Sequence, residues 1–258
     1  MATTLYALDS GGEFRAPPLV VLHGLFGSAD NWRSPIKAWR DSRRVIALDL
    51  RNHGRSPHLD GMAYEQMAED VLESLTALGV ERFVLLGHSM GGKVAMNLAR
   101  QCADRVERLI VADIAPVAYA HGHEDVFAAM HAVERARAQN RREADAAMAQ
   151  YVSDAVTRQF LATNLIRGEQ QTLEWRVDLA RIEADYPAII AAPGGRDDYP
   201  GATLLLRGGR SNYVDAQGIE AAREIFPALR LETIEDAGHW LHAERFDEFK
   251  AKVDAFLG

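Results

Sequence analysis

Short apolar runs alternate with helical stretches along most of the chain, and this alternation constrains the fold more than any other feature. The runs are rich in Leu, Val and Ile and show little polar alternation, which is typical of strands buried on both faces. Between them, residues 64–78 place apolar side chains at helical spacing, and residues 93–100 continue helically after a glycine pair. We therefore expect an α/β fold with a mostly parallel sheet flanked by helices and joined by right-handed crossovers. The predicted strands are residues 19–22, 45–50, 83–86, 109–112, 203–206 and 231–234.

The alternation breaks between about residues 116 and 195. Three stretches there have helical character, at 124–138, 142–152 and 154–163, and no convincing buried strand is found. The strand pattern resumes after the turn-rich AAPGGRDDYPG at residues 191–201. A length of 258 residues fits one domain with an insertion better than two independent domains. We expect a single domain, residues 1–258, with a core of 1–115 and 196–258 and a helical cap of 116–195.

Composition excludes several classes of protein. With 48% hydrophobic and 26% charged residues, intrinsic disorder, collagen-like repeats and coiled coils are poor interpretations. The net charge of −8 argues against nucleic acid as a partner. One cysteine cannot form an internal disulfide, no run approaches the roughly 18 apolar residues of a membrane span, and the start MATTLYALDSGGEFR lacks signal-peptide regions. We expect a cytoplasmic protein without integral membrane association, and its oligomeric state stays open.

The strongest local motif is GHSMG at residues 87–91, between the apolar run FVLL and the helical KVAMNLAR. A serine on a sharp turn between strand and helix is held strained with its hydroxyl exposed, and glycines two residues away on either side avoid collisions. The helix N-terminus also favours negative charge there. Ser89 is therefore the candidate nucleophile; the alternative is a glycine-rich turn without reactivity.

A nucleophilic serine needs a base to take its proton. His239, in EDAGHWLHAE, follows the last predicted strand and precedes the final helix, so we expect it at the same sheet edge as Ser89. The order serine then histidine also suits this turn. His242 lies three residues further on, and we expect it at the surface or behind the site.

The other histidines have structural interpretations. His121 and His123 in HGH suggest a metal site, but no third ligand lies nearby in the sequence, so a solvated loop is favoured and we expect no metal. His53 and His58 lie in RNHGRSPH after a strand, and we expect them to shape that loop.

Acyl transfer also requires hydrogen-bond donors for a developing oxyanion. HGLFG at residues 23–27 follows the run LVVL, and its glycines allow backbone N–H groups to turn toward a substrate. The expected donors are the backbone amides of Leu25 and Met90, the second being the residue after the nucleophile. Alone, the HGLFG segment is equally well a simple turn at the end of a strand.

Four segments together resemble the alpha/beta-hydrolase superfamily: HGLFG, DLRNHGRS at 49–56, GHSMGG at 87–92 and DAGHWLHAE at 236–244. The resemblance covers nearly the whole chain, and within the superfamily the chain is most similar to small bacterial esterases of the YbfF kind. It implies hydrolysis of small acyl esters or thioesters through an acyl-serine, with no cofactor. It also implies that Ser89 is the nucleophile, His239 the general base and acid, and the Leu25 and Met90 amides the oxyanion hole. We place Phe26 and His88, which adjoin these residues, in the substrate pocket.

The acid of the triad departs from the usual pattern. Most of the superfamily carries it in G-x-x-D-x-x-V after the strand that follows the cap, but here that stretch is GGRSNYV, and Ser211 occupies the acid position. Asp113 ends the strand LIVAD, next in sequence after the nucleophile, at the sheet edge where loop residues converge. Asp113 is therefore the first candidate, Asp215 the second and Asp236 the third. The structural alternative for Asp113 is a cap on the turn before Pro116.

The cap interrupts the sheet just after Asp113, so we expect it to lie over the edge that carries Ser89 and to set acyl selectivity. Phe127 and Met130 are three residues apart on its first predicted helix. They face either the substrate pocket or the core of the cap, and the core is favoured.

Two other classes of function remain open at this point. One fold hosts many chemistries, so a lyase or another non-hydrolytic enzyme on the same triad is one alternative. A ligand-sensing protein that keeps the site only for binding is the other. Epoxide hydrolases and haloalkane dehalogenases are disfavoured because they require a carboxylate at the position of Ser89.

Overall fold

The computed structural model describes residues 2–168, 171–195 and 197–258. Arg196, where the sequence predicts the return to the core, lies outside the described residues. The strands are β1 Ala7–Asp9, β2 Leu19–Leu22, β3 Val45–Leu48, β4 Phe83–His88, β5 Val106–Ala112, β6 Leu165–Arg167, β7 Leu173–Trp175, β8 Ala202–Gly208 and β9 Leu229–Ile234. The helices are α1 Arg33–Trp39, α2 Tyr64–Ala77, α3 Met90–Gln101, α4 Glu124–Ala136, α5 Arg141–Met148, α6 Ala155–Ala162, α7 Leu179–Ala184, α8 Tyr186–Ile190, α9 Ala216–Ile225, α10 Leu241–Glu244 and α11 Phe246–Leu257, with a 3-10 turn at Ala29–Trp32.

The central sheet has, within the described residues, seven strands in the order β1-β3-β2-β4-β5-β8-β9. All neighbours are parallel except β1, which runs antiparallel to β3. The predicted mostly parallel sheet is confirmed, with each predicted strand present and most of them longer than predicted. Strand β1 was missed because its three residues are half-buried at the sheet edge and form no apolar run.

Strand register places the ends of neighbouring strands together. Leu22 at the end of β2 pairs with Gly87, and His88 at the end of β4 pairs with Ala112. Ala112 in turn pairs with Leu206 of β8. The loops that follow β2, β4, β5 and β8 therefore leave the sheet at one edge, where sites of open α/β sheets are built.

Both faces of the sheet are covered, which explains the nearly continuous apolar strands. Leu19 and Val21 of β2 pack toward α1 and α11, while Val20 and Leu22 pack toward α2 and α3. Burying one such side chain contributes roughly 1.5–3 kcal/mol relative to leaving it exposed.

The segment between β5 and β8 contains the three predicted helices as α4, α5 and α6. Helices α5 and α6 begin after Asn140 and Asp154, whose side chains accept hydrogen bonds from the first-turn amides of Glu143 and Thr157. The sequence analysis missed α7, α8 and the antiparallel hairpin of β6 and β7. Each hairpin strand has three residues and only Leu165 among them is buried, so no apolar alternation marks them.

The first helix of this segment packs inward. Phe127 and Met130 are both buried in the apolar core, as the favoured interpretation required. The Phe127 ring lies edge-on to Phe26 at 5.6 Å and to Tyr186 at 5.2 Å between centroids. In the described part of the chain, no helix combines the length and apolar content needed to cross a bilayer.

Candidate active site

Ser89 occupies a strained turn between β4 and α3. Its φ of 53° and ψ of −124° lie outside the regions that residues other than glycine usually adopt, a strain of about 1–3 kcal/mol that the surroundings must hold. A Cβ on Gly87 would lie 2.2 Å from the Gly91 carbonyl oxygen, and one on Gly91 would lie 2.4 Å from that of His23. The two glycines of GHSMG are therefore required by backbone contacts.

His239 bridges Ser89 and Asp113. Its Nε2 lies 3.0 Å from Ser89 Oγ, and its Nδ1 lies 2.8 Å from Asp113 Oδ2. The Asp113 carboxylate is fully buried, and its Oδ1 accepts a hydrogen bond from Gly208 N–H at 2.9 Å. Ser211 donates its hydroxyl hydrogen to Oδ2. These contacts set the His239 tautomer with the proton on Nδ1 and leave Nε2 facing the serine hydroxyl.

Neither alternative acid contacts His239 through its side chain. Asp215 caps α9 instead, and its carboxylate accepts from Gly218 N–H at 2.7 Å. The Asp236 side chain is 78% exposed and pairs with Arg245 at 3.5 Å. Ser211, which occupies the usual acid position, thus donates a hydrogen bond to the carboxylate of Asp113, directly after β5. The sequence analysis did not assign this role to Ser211.

The loop that carries His239 is fixed by two aromatic neighbours. His88 Nε2–H donates to the His239 carbonyl oxygen at 2.8 Å, and the Tyr213 ring stacks on the imidazole of His239 with centroids 4.0 Å apart. His88 is buried directly before Ser89, so one short segment positions both the hydroxyl and the histidine.

The backbone amides of Leu25 and Met90 have no hydrogen-bond acceptor among the residues that the structure describes. In the HGLFG turn, Phe26 N–H donates to His53 Nε2 at 3.1 Å and Gly27 N–H donates to the Gly24 carbonyl at 2.9 Å, which leaves the Leu25 amide free. Met90 is the first residue of α3, where N–H groups lack partners within the helix. Both amides are therefore available to a negatively charged oxygen.

Hydrogen bonds of the buried His23 and His53 side chains fix the conformation of the HGLFG turn. His23 Nε2 accepts from Leu50 N–H at 2.9 Å, and its Nδ1–H donates to the Gly24 carbonyl at 2.8 Å. His53 Nδ1–H donates to the Arg51 carbonyl at 2.9 Å, so its Nε2 accepts from Phe26. His53 thus shapes the neighbouring turn as well as its own loop, whereas His58 is exposed.

The expectations for His242 and His123 have different outcomes. His242 lies behind the site, one of the two positions expected for it: it is buried, stacks on Trp32 at 4.4 Å and lies 4.5 Å from the His88 ring. His123 is not solvated: it is half-buried, and its Nδ1 is hydrogen bonded to the Tyr186 hydroxyl at 2.6 Å. His121 is exposed as expected. In the described residues, no group of three or more His, Cys, Asp or Glu side chains is arranged to hold a metal ion.

Two cavities meet at Ser89. The first, of about 290 Å³, is the His239 cavity; Phe26, His88, Trp32, Phe160, His239 and Trp240 are among its lining residues. The second, of about 310 Å³, is the Met90 cavity; Met90, Lys93, Ile114, Tyr119, Ile189 and Ile190 are among its lining residues. Leu25, Ser89, Gly122, His123 and Tyr213 border both. Phe26 and His88 both line the His239 cavity, which reaches Ser89.

Comparison with known proteins places this arrangement in a family. Residues 17–246 match the family described as alpha/beta hydrolase fold. The chain belongs to this family. It is 35% identical to the Escherichia coli esterase YbfF over 100% of this chain and 99% of that protein, which confirms the resemblance seen in the motifs.

Other proteins also match most of the chain. The chain is 42% identical to the mouse protein named sn-1-specific diacylglycerol lipase ABHD11, over 95% of this chain and 82% of that protein. A solved structure named marine microorganism esterase superposes with a TM-score of 0.95 at 37% identity, covering 99% of this chain and all of the other. The hydrolase fold is therefore shared along nearly the entire chain.

Four buried histidines make stability dependent on pH. Burial lowers the pKa of His23 to about 4 and of His53 and His242 to about 3, and it lowers that of His88 well below its usual value. Between pH 6.5 and 4 the unfolded chain therefore binds protons that the folded chain does not, so stability falls as the pH falls. Protonation in the unfolded chain at pH 5.5 should lower the unfolding free energy by about 1.4 kcal/mol for each of His23, His53 and His242, relative to pH 7.5.

Urea unfolding at pH 7.5 and 5.5 measures this loss. In His242→Gln the difference between the unfolding free energies at the two pH values should be smaller by about 1.4 kcal/mol than in the native protein. Equal unfolding free energies at the two pH values in the native protein would contradict the prediction.

Proposed function

We propose that this protein is a serine esterase that hydrolyses small acyl esters or thioesters through an acyl intermediate on Ser89. The observation that carries the proposal is the hydrogen-bonded chain from Ser89 Oγ through His239 to the buried Asp113, placed where two cavities meet. The relatives named esterase and diacylglycerol lipase support an ester as the substrate.

Acylation follows from the geometry of the site. Ser89 Oγ attacks the carbonyl carbon while His239 Nε2, 3.0 Å away, takes the hydroxyl proton. Asp113 stabilises the imidazolium that forms and keeps its ring oriented. The carbonyl oxygen becomes an oxyanion held by the Leu25 and Met90 amides, and a donor of this kind is typically worth about 10²–10³ in kcat.

Leaving-group departure and deacylation use the same histidine. The His239 imidazolium donates its proton to the leaving alcohol or thiol as the bond to the acyl carbon breaks. Water then occupies that position, gives a proton to His239 Nε2 and attacks the acyl-serine. The second tetrahedral intermediate collapses to the free acid, and the proton returns to Ser89.

The two cavities have different roles in this reaction. The leaving group must lie near His239 Nε2 to be protonated, and His239 lines only the first cavity. Met90, whose amide would hold the oxyanion, lines only the second. We therefore assign the alcohol or thiol to the His239 cavity and the acyl chain to the Met90 cavity.

We further propose that residues 116–195 act as a cap that sets acyl selectivity. Ile189 and Ile190 of α8 line the Met90 cavity, and Phe160 of α6 lines the His239 cavity. His123, at the start of α4, borders both. Each cavity is thus completed by side chains from this segment, over a sheet edge that supplies Ser89.

A two-dimensional substrate panel tests the proposed function. Acyl groups of increasing length would be combined with p-nitrophenol, glycerol and coenzyme A as leaving groups. We expect turnover of esters with a defined optimum of acyl length, because the Met90 cavity has a limited volume of about 310 Å³. Absence of turnover across the panel, with Ser89 still labelled by a fluorophosphonate, would overturn the proposal in favour of a ligand-sensing role.

We also propose a cytoplasmic location and a free small molecule as the partner, without a nucleic acid. The net charge of −8 and the single cysteine support this assignment. Fractionation of cells that express the protein from its own gene tests the location, and recovery in a secreted or membrane fraction would contradict it.

A further inference from the structure

Lys93 is a buried lysine on the helix that starts at Ser89. Its side chain is 1% exposed and lines the Met90 cavity. Its backbone amide lies one helical turn after the nucleophile and donates to the Ser89 carbonyl at 3.2 Å. Among the described residues, no carboxylate forms an ion pair with it within 4.0 Å. Burying a cation without an anionic partner raises the free energy of the folded state, so other contacts of Lys93 must stabilise its charge.

The compensating contacts come from the carboxyl end of α8. Lys93 Nζ donates to the Ala191 carbonyl at 2.6 Å and to the Ile190 carbonyl at 3.3 Å. The ammonium also lies 4.6 Å from the centroid of the Tyr119 ring and 5.6 Å from that of Tyr64, distances at which a cation is attracted to an aromatic face. Lys93 therefore joins the nucleophile helix to the end of a cap helix.

The same stretch of α8 is held by two further groups. The Tyr64 hydroxyl donates to the Ile189 carbonyl, and Tyr119 N–H donates to the Ile190 carbonyl at 2.8 Å. The side chains of Ile189 and Ile190 line the Met90 cavity. The position of this cavity wall thus depends on a small cluster of polar contacts, of which Lys93 makes two.

We propose that Lys93 is a positioning residue for acyl selectivity: by anchoring the carboxyl end of α8, it fixes the wall that Ile189 and Ile190 form in the Met90 cavity and so limits acyl length. The inference rests on the proposed ester hydrolysis and on the assignment of the acyl chain to this cavity. Without the anchor, α8 moves away from the core and longer chains fit.

The charge on Lys93 adds a pH dependence. Burial lowers the pKa of Lys93 to about 7. The titratable groups that face it are Tyr64 and Tyr119, and His123, Tyr186 and Tyr213 line the same cavity. Burial raises the pKa of these tyrosines and lowers that of His123, so Lys93 is the group among them that changes charge as the pH rises through about 7. A neutral amine binds carbonyls and rings less strongly, so the wall should loosen as the pH rises through about 7.

The experiment compares Lys93→Met with Arg100→Met. Arg100 lies on the same helix and donates to the Gly194, Gly195 and Asp197 carbonyls, but it lines neither cavity. For p-nitrophenyl esters, the ratio of kcat/KM for the first acyl length beyond the wild-type optimum to that for the optimum should rise at least about tenfold in Lys93→Met. In Arg100→Met it should stay at the wild-type value.

Two outcomes would overturn the inference while leaving ester hydrolysis intact. One is an unchanged ratio in Lys93→Met, and the other is an equal change in Arg100→Met. Should Lys93→Met not fold, the wild-type protein still tests the inference. The same ratio of kcat/KM values should rise several-fold between pH 6 and 8.5, and any effect of pH on the catalytic groups cancels in the ratio because both substrates use the same groups. A ratio that is constant with pH would overturn the inference. Absence of turnover in the wild type would instead overturn the proposed function.

Discussion

Replacing Ser89 by Ala should abolish ester hydrolysis, with kcat falling by about 10⁶. The physical reason is that the hydroxyl is the group that attacks, and no other hydroxyl among the described residues lies within hydrogen-bond distance of His239 Nε2. The oxyanion amides and substrate binding should leave a residual rate about 10³–10⁴ times that of the uncatalysed reaction in water. Steady-state kinetics on the preferred p-nitrophenyl ester, compared with the rate in buffer alone, measures the loss.

The exposed Ser153, replaced by Ala, is the matched control and should keep wild-type turnover. Circular dichroism excludes unfolding of the Ser89 variant. Unchanged turnover in Ser89→Ala would remove the esterase proposal altogether.

The second large effect concerns Asp113. In Asp113→Asn the fold should be kept, but kcat should fall by up to about 10⁴, because an amide cannot fix the proton on His239 Nδ1 as the carboxylate does. The carboxylate is fully buried, and the Gly208 amide and the Ser211 hydroxyl both donate to it. Its replacement therefore leaves the shape of the site in place while changing the tautomer of the histidine.

Asp215→Asn is the control for this variant. The Asp215 carboxylate caps α9, and asparagine caps a helix about equally well, so both kcat and stability should stay near wild type. A large loss of kcat in Asp215→Asn with near-normal Asp113→Asn would reverse the assignment of the acid. Equal losses in both variants would show that neither position alone orients His239.

The parts of the site that closely follow sheet strands were predictable from the sequence. GHSMG after FVLL places Ser89 at a strand end, and the parallel arrangement brings the residue after the next strand, Asp113, to the same edge. The free amide of Leu25 follows in the same way from glycines after β2. In each case a local motif and one rule about parallel strands are sufficient.

Contacts between distant segments were not predictable from local patterns. Ser211 was recognised only as the residue that replaces the usual acid, because its hydroxyl meets Asp113 across 98 residues of chain. Lys93 fits an ordinary helical pattern, and its contact with Ala191 depends on how the segment between β5 and β8 folds back. His123 was misplaced for the same reason: Tyr186 of α8 packs against it and partly buries it.

The proposed mechanism has one most direct test, which is to locate the covalent bond that Ser89 forms. The protein would be titrated with a fluorophosphonate, and intact and peptide mass spectrometry would follow adduct number and position alongside residual ester hydrolysis. The mechanism predicts one phosphonyl group per chain, on Ser89, with activity falling in proportion to labelling. Full activity in protein that carries a phosphonyl group on Ser89, or inactivation through a different residue, would contradict it.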